Sequence, residues 1–209
     1  MTTNLNLPWL TGGRGGDLLD LHQRAVTGCA AVVTAAAAGQ LDWPTPCSEW
    51  SLGDLLAHMI GHNVGFAAAA LGSSDAGAFA DVRLAPGLPA QFAASAQATV
   101  AAFTGLDLGR DGVYLAVVRG GTRVDARTAV CFHLVDTVVH GWDVATAAGL
   151  PVGYDDDVEQ AALAIARAVP DDQSRVQPGA AFRPGQADPG TTPLQRIVAA
   201  LGRDPHWAK

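Results

Sequence analysis

Between Arg127 and Ala148 the sequence reads as a helix that is apolar in almost every direction, with Phe132, Leu134, Val135, Val138, Val139, Trp142 and Val144 spread around its circumference. Such a helix cannot rest on a single face. It must be surrounded, and the simplest surround is a bundle of further helices. Interrupting the apolar coat, His133, Asp136 and His140 stand at i, i+3 and i+7, which places all three within about a 60° sector. An unpaired buried polar group costs about 1–3 kcal/mol and a lone charge more. The stripe therefore needs compensation from its neighbours or from a shared cation.

Other stretches supply the surround. From about Asp17 to Gln40, Leu18, Leu21, Ala25, Cys29, Val32 and Ala36 recur at helical steps, with Asp17 the expected N-cap. LDWPTPCSEW follows, where two prolines exclude helix and two tryptophans add apolar mass, so an ordered connector is expected. Ser51-Leu52-Gly53-Asp54 then has the pattern of a capping box opening a second helix, with Leu55, Met59 and Phe66 on one face and Gly72 as its stop. A Gly-, Ser- and Pro-rich loop leads to a third helix carrying Phe92, Ala96, Val100 and Phe103 and ended by Gly105. GVYLAVVRGGTRVD predicts a small hairpin turning at Gly120-Gly121. Beyond Gly149 and Pro151, the carboxylates of Asp155, Asp156, Asp157 and Glu159 load the first turn of a fifth helix that Pro170 ends. A strap from Asp171 to Pro193 and a short helix from Leu194 to Leu201 complete the chain.

Alanine, the strongest helix former, makes up about a fifth of the 209 residues, and the expected fold class is all-α. One domain over residues 1–209 is expected, with a bundle over about 15–150 and the C-terminal helix, strap and last helix over about 154–209. A net charge of −7, from 13 basic and 20 acidic residues, leaves no basic stripe for nucleic acid. No apolar run reaches the ~18 residues of a membrane span, and the first residues lack a signal-peptide pattern. Three cysteines without C-x-x-C spacing suggest neither a disulfide framework nor a thiolate zinc site, which suits a reducing cytoplasm. Alanine-rich helix faces are compatible with a homodimer.

In the second helix, His58 and His62 lie one turn apart on the inward face with Leu55, Met59 and Phe66. Zinc, nickel or iron takes imidazole nitrogen and carboxylate oxygen, and three ligands from facing helices leave positions open for water or substrate. The candidate ligands are His58, Asp136 and His140. His62 and His133 are reserve ligands or hydrogen-bond partners, and Asp143 is a fallback carboxylate beside Trp142, both of which are expected to pack or cap. The alternative is a hydrogen-bonded polar core without metal; a facial triad of an iron oxygenase is a further one. His22 and His206 read as structural or exposed. Arg119, Arg123 and Arg127 read as solvent-facing charge, with anion binding near the site as the alternative. Cys47 reads as a packed connector residue despite preceding a helix N-terminus, and Cys131 lies about 200° from His133, away from the stripe.

The segments WPTPCSEWSLGDLLAHMIGH, FHLVDTVVHGWDVATAAG and LQRIVAALGRDP resemble the metal-binding proteins related to mycothiol-dependent maleylpyruvate isomerase, within the DinB superfamily of four-helix bundles. The resemblance covers nearly the whole chain. It implies a DinB-like four-helix bundle with a small hairpin insertion and extra C-terminal helices. It also implies a divalent metal, commonly zinc, held by one histidine of the second helix and an acid-x-x-x-His pair of a later one, here His58, Asp136 and His140. A low-molecular-weight thiol such as mycothiol is the implied cosubstrate, in transfer to or isomerisation of a small electrophile; a non-catalytic binding or sensing role is the alternative. Two departures bear on activity. The isomerase has glutamate where this chain has Asp136, and it carries a further C-terminal domain with a catalytic arginine, where this chain has a strap and one short helix.

Overall fold

The computed structural model describes residues 15–37, 39–47, 49–109, 112–118 and 120–208. Four helices form the bundle: α1 (Gly15–Ala36), α2 (Leu52–Ala70), α3 (Leu88–Thr104) and α4 (Ala126–Ala148). A two-stranded antiparallel sheet, β1 (Val113–Leu115) with β2 (Thr122–Val124), precedes α4, and α5 (Asp156–Ala168) and α6 (Pro193–Ala200) follow it. In cross-section α1 packs on α4 and α3, and α2 packs on α3 and α4. α5 covers α4 and α1, and α6 lies against α5. The fold is thus the expected all-α one, a four-helix bundle with a hairpin insertion and extra C-terminal helices. Among the described residues, no helix is long and apolar enough to cross a membrane.

The central position of α4 follows from its sequence: Val130, Cys131, Leu134, Val138 and Val144 are each fully buried although they point to different sides. Gly28 of α1 and Gly141 of α4 together leave room for the Tyr154 ring, and a Cβ at Gly141 would strike the Tyr154 hydroxyl. α1 differs from expectation at both ends. It is already helical at Gly15, so Asp17 lies in its first turn and not at its cap. It ends at Ala36, short of Gln40, because the Gly39 amide folds back onto the Ala36 carbonyl (2.8 Å), where the Trp43 ring leaves no room for a side chain.

The capping box at Ser51 and Asp54 is present and fixes where α2 begins. Just before it, Thr45 is buried and donates to the carbonyls of Cys47 (3.1 Å) and Trp50 (2.9 Å), while Pro44 pairs with Ser51. The connector is therefore ordered, and it delivers Cys47 and Trp50 beside the first turns of α2. The loop after α2 contains a 3-10 turn, Ala76–Phe79, that lies on α2 where Gly61 and Gly65 leave space: a Cβ on Gly61 would strike the Ala80 carbonyl, and one on Gly65 the Phe79 ring. This close approach brings Asp81 onto the α2 surface at His58.

Candidate functional site

A cavity of about 490 Å³ opens between α2, α4, the connector and the C-terminal strap. Its polar lining includes His58, His62, Asp136 and His140, and Trp50 and Cys47 line it from the connector. All three residues expected at a metal site thus share one cavity. The His58 and His140 rings are 5.5 Å apart between centroids and nearly perpendicular, and His140 Nε2 is 3.4 Å from Asp136 Oδ1. The other carboxylate oxygen, Asp136 Oδ2, lies 3.3 Å from His62 Nδ1. His62 also stacks against His58, with centroids 3.8 Å apart, and Trp50 covers the other side of His58 at 4.3 Å.

Each of the two outer histidines has its Nδ1 on a further carboxylate. His58 Nδ1 is 3.2 Å from Asp81 Oδ1, and His140 Nδ1 is 3.0 Å from Asp143 Oδ2. Asp143 is fully buried and also meets Arg203 Nη2 (3.2 Å) and Cys47 Sγ (3.1 Å), the latter itself 3.3 Å from Arg203. Cys47, His140 and Asp143 offer three donor atoms within 4.8 Å of one another, a second arrangement able to hold a metal ion. There the Arg203 guanidinium already contacts two of the three, so a positive charge is in place beside that cluster.

Burial opposes charge throughout the site, and the ion pairs decide the outcome. It pushes the His58 imidazole down to about 4, helped by the neighbouring His62 and His140, so this ring is neutral and its lone pair is available near neutral pH. Burial acts against the charge on His140 as well, but Asp136, with hydrogen bonds to Asp136, Asp143 and Cys47, holds its pKa well above that of a free imidazole. The Asp136 carboxyl, despite burial, is held well below its usual range by His140 and His62. Asp143 is likewise kept ionised, against burial, by Arg203 and His140.

The model of the family described as Mycothiol maleylpyruvate isomerase N-terminal domain matches residues 22–145 of this chain. The chain belongs to that family. Two uncharacterized proteins of Mycobacterium tuberculosis, from strains CDC 1551 and H37Rv, are each 30% identical to it over 189 residues, covering 90% of this chain and 98% of theirs. No solved structure gives a significant match.

In this member of the Mycothiol maleylpyruvate isomerase N-terminal domain family, the matched segment supplies His58, His62, Asp136, His140, Cys47 and Trp50, while Arg203 comes from beyond it. Other residues singled out in the sequence lie elsewhere. His133 turns away from Asp136 into the core, where it bonds His22 (2.8 Å) and Asn63 (2.9 Å). Cys131 is buried, and burial, with Asp125 nearby, raises its thiol pKa to about 12. Arg123 donates to the Gly112 carbonyl (2.6 Å) and lies over Tyr114. Neither Arg123 nor Arg127 lines the cavity. Arg119 lies outside the described residues. His206 is exposed beside Asp188. Asp143 departs from its expected capping role: it is the buried partner of His140 and Arg203. Cys47 is more than packing, since it faces the cavity. No helical phase or ligand spacing marks Asp81 or Arg203, although Arg203 lies within LQRIVAALGRDP.

Proposed function

We propose that this chain holds one divalent cation through His58, Asp136 and His140 and acts with a low-molecular-weight thiol of the mycothiol kind on a small electrophile, as a transferase or isomerase. The observation that supports the reading is the pairing of His58 Nδ1 with Asp81 and of His140 Nδ1 with Asp143, which directs each Nε2 to coordination. The donors are two imidazoles and one carboxylate, a set that suits zinc and is shared by nickel and iron. A cation bound there supplies a lowered pKa to a coordinated thiol or water.

The chain's own groups do the rest. His62 orients the Asp136 carboxylate from its second oxygen. Trp50 packs on His58, and the strap lines the far side of the cavity. A thiol cosubstrate of this kind places the protein in a reducing cytoplasm, in keeping with three free cysteines.

Elemental analysis tests the reading. The purified protein should carry about one divalent ion per chain, and Asp136→Ala and His140→Ala should carry almost none. A native protein that takes up no zinc, cobalt, nickel or iron(II) on incubation sinks it. Gly61→Ala offers a subtler check. The added methyl displaces the Ala80–Asp81 backbone and parts Asp81 from His58, so metal affinity in a chelator competition should fall by about 10-fold while the helical signal is kept.

A further inference from the structure

The outer wall of the cavity is built by chain beyond the family segment. Gly179, Ala180, Ala181, Phe182 and Arg183 line it, and all follow residue 145. These residues belong to the strap between α5 and α6, which is exposed along most of its length and has one 3-10 turn, Gln173–Val176, as its regular structure. A segment that buries so little apolar surface needs another hold.

Arg175 provides it. Its side chain is 4% exposed, with Nε donating to the Pro170 carbonyl (2.8 Å) and Nη2 to that of Val169 (3.0 Å). Nη1 donates to the carbonyls of Arg183 (3.1 Å) and Ala200 (2.7 Å). One guanidinium therefore ties the end of α5, the cavity wall and the end of α6 together. A fork of five N–H donors can do this where an ammonium cannot. Neighbouring contacts set the same register: Gln186 N donates to Ala199 O (2.9 Å), and Gly202, at φ +86°, lies so close that a Cβ would come 2.6 Å from the Arg183 carbonyl oxygen. Phe182 sits under the Arg203 guanidinium, 5.8 Å from its ring centre.

We propose that residues 179–183 are the selectivity wall of the cavity, and that Arg175 is the positioning residue that sets how bulky a molecule can enter. The wall presents Gly179, Ala180, Ala181 and Phe182, together with Arg183, whose exposed guanidinium pairs with Glu49 (3.5 Å), opposite a floor of His58, His62, Asp136 and His140. That combination suits a compact molecule with one polar end for the floor and a small apolar body against Ala180, Ala181 and Phe182. The biological sense of the proposal rests on the reading of this cavity as the reaction site.

Cys47 makes the wall measurable without a known substrate, because it lines the cavity while Cys29 and Cys131 are buried, with burial raising both thiols to about 12. In the full-length protein, N-ethylmaleimide should modify Cys47 at least about 10-fold faster than fluorescein maleimide. Arg175→Ala should bring the two rates within about 2-fold of each other, and Arg175→Lys should fall between. If Arg175→Ala unfolds, all three cysteines become modified; Phe182→Ala, which leaves every Arg175 hydrogen bond in place, then carries the test and should speed the bulky reagent alone. A size ratio unchanged in Phe182→Ala, or in a folded Arg175→Ala, overturns the proposal. Metal content measured on the same samples separates the two readings. Size discrimination without metal sinks the metal site and leaves the wall, and metal without size discrimination does the reverse.

Discussion

Arg203→Met should lower the unfolding free energy by about 3 kcal/mol, because it leaves the Asp143 carboxylate buried without its guanidinium partner. Asp143 has no solvent exposure, and three of its contacts, from His140, Cys47 and Arg203, converge on Oδ2. Its Oδ1 is buried without a hydrogen-bond partner among the described residues, so the loss of Arg203 leaves the carboxylate with His140 and Cys47 alone. His140 remains beside the carboxylate and limits the damage, which places the cost at the lower end for a broken buried pair. For a chain of this length the thermal midpoint should drop by roughly 6–12 °C. Adding Asp143→Asn should recover part of that stability, since the uncompensated charge then disappears; a coupling of at least about 1.5 kcal/mol is expected in the double-mutant cycle. An Arg203→Met protein as stable as the native one would show that the pair adds nothing and that solvent reaches Asp143.

How much of this was legible in the sequence depends on the range of each interaction. Helical phase alone put His58, Asp136 and His140 on inward faces, and the structure lines one cavity with all three, because a 3.6-residue repeat is a local property. Capping patterns were local too: Ser51 with Asp54 starts α2, and Gly149, at φ +66°, ends α4. Phase could not separate His133 from its stripe. On a helix buried on every side, the neighbour met at each turn decides the role, and one turn before Asp136 that neighbour is His22 of α1, not the cavity. Asp81 reaches His58 only because Gly61 and Gly65 admit the loop, a packing condition with no periodic signature. Arg203 stands 60 residues from Asp143 and 156 from Cys47 in sequence, and it is carried there by the turn that follows α6, at the end of a largely irregular strap. An arginine from beyond the family segment thus lines the cavity.

Acid should destabilise the protein well before its carboxylates titrate, through the buried histidine pair. The hydrogen-bond chain fixes the protons. Ser95 Oγ donates to the Phe92 carbonyl (2.8 Å) and accepts from Asn63 Nδ2 (2.9 Å), which turns Asn63 Oδ1 towards His133. His133 Nε2 must then donate to that oxygen, and its Nδ1 accepts from His22 Nε2. Both rings are neutral in this arrangement, and a proton on His133 Nδ1 would set donor against donor. Burial lowers the His133 pKa to about 4, with Asp136 opposing and His62 assisting. Burial and His133 together lower His22 well below its usual value. The unfolded chain takes up these protons near pH 6.5, whereas the folded chain resists until about pH 4, so stability is full above pH 6.5 and falls as pH drops through that window. His133 alone should account for about 3 kcal/mol of the loss, and His22 adds in the same direction. His133→Gln keeps one donor and one acceptor but cannot titrate. Urea unfolding from pH 7.5 to 4.5, with chelator present so that metal release does not enter, should therefore give stabilities that run parallel above about pH 7 and, between about pH 6 and 5, a slope against pH that is shallower in the variant by about 1 kcal/mol per pH unit. Parallel slopes for the two proteins would mean that His133 is already solvated in the native state, contrary to its 1% exposure.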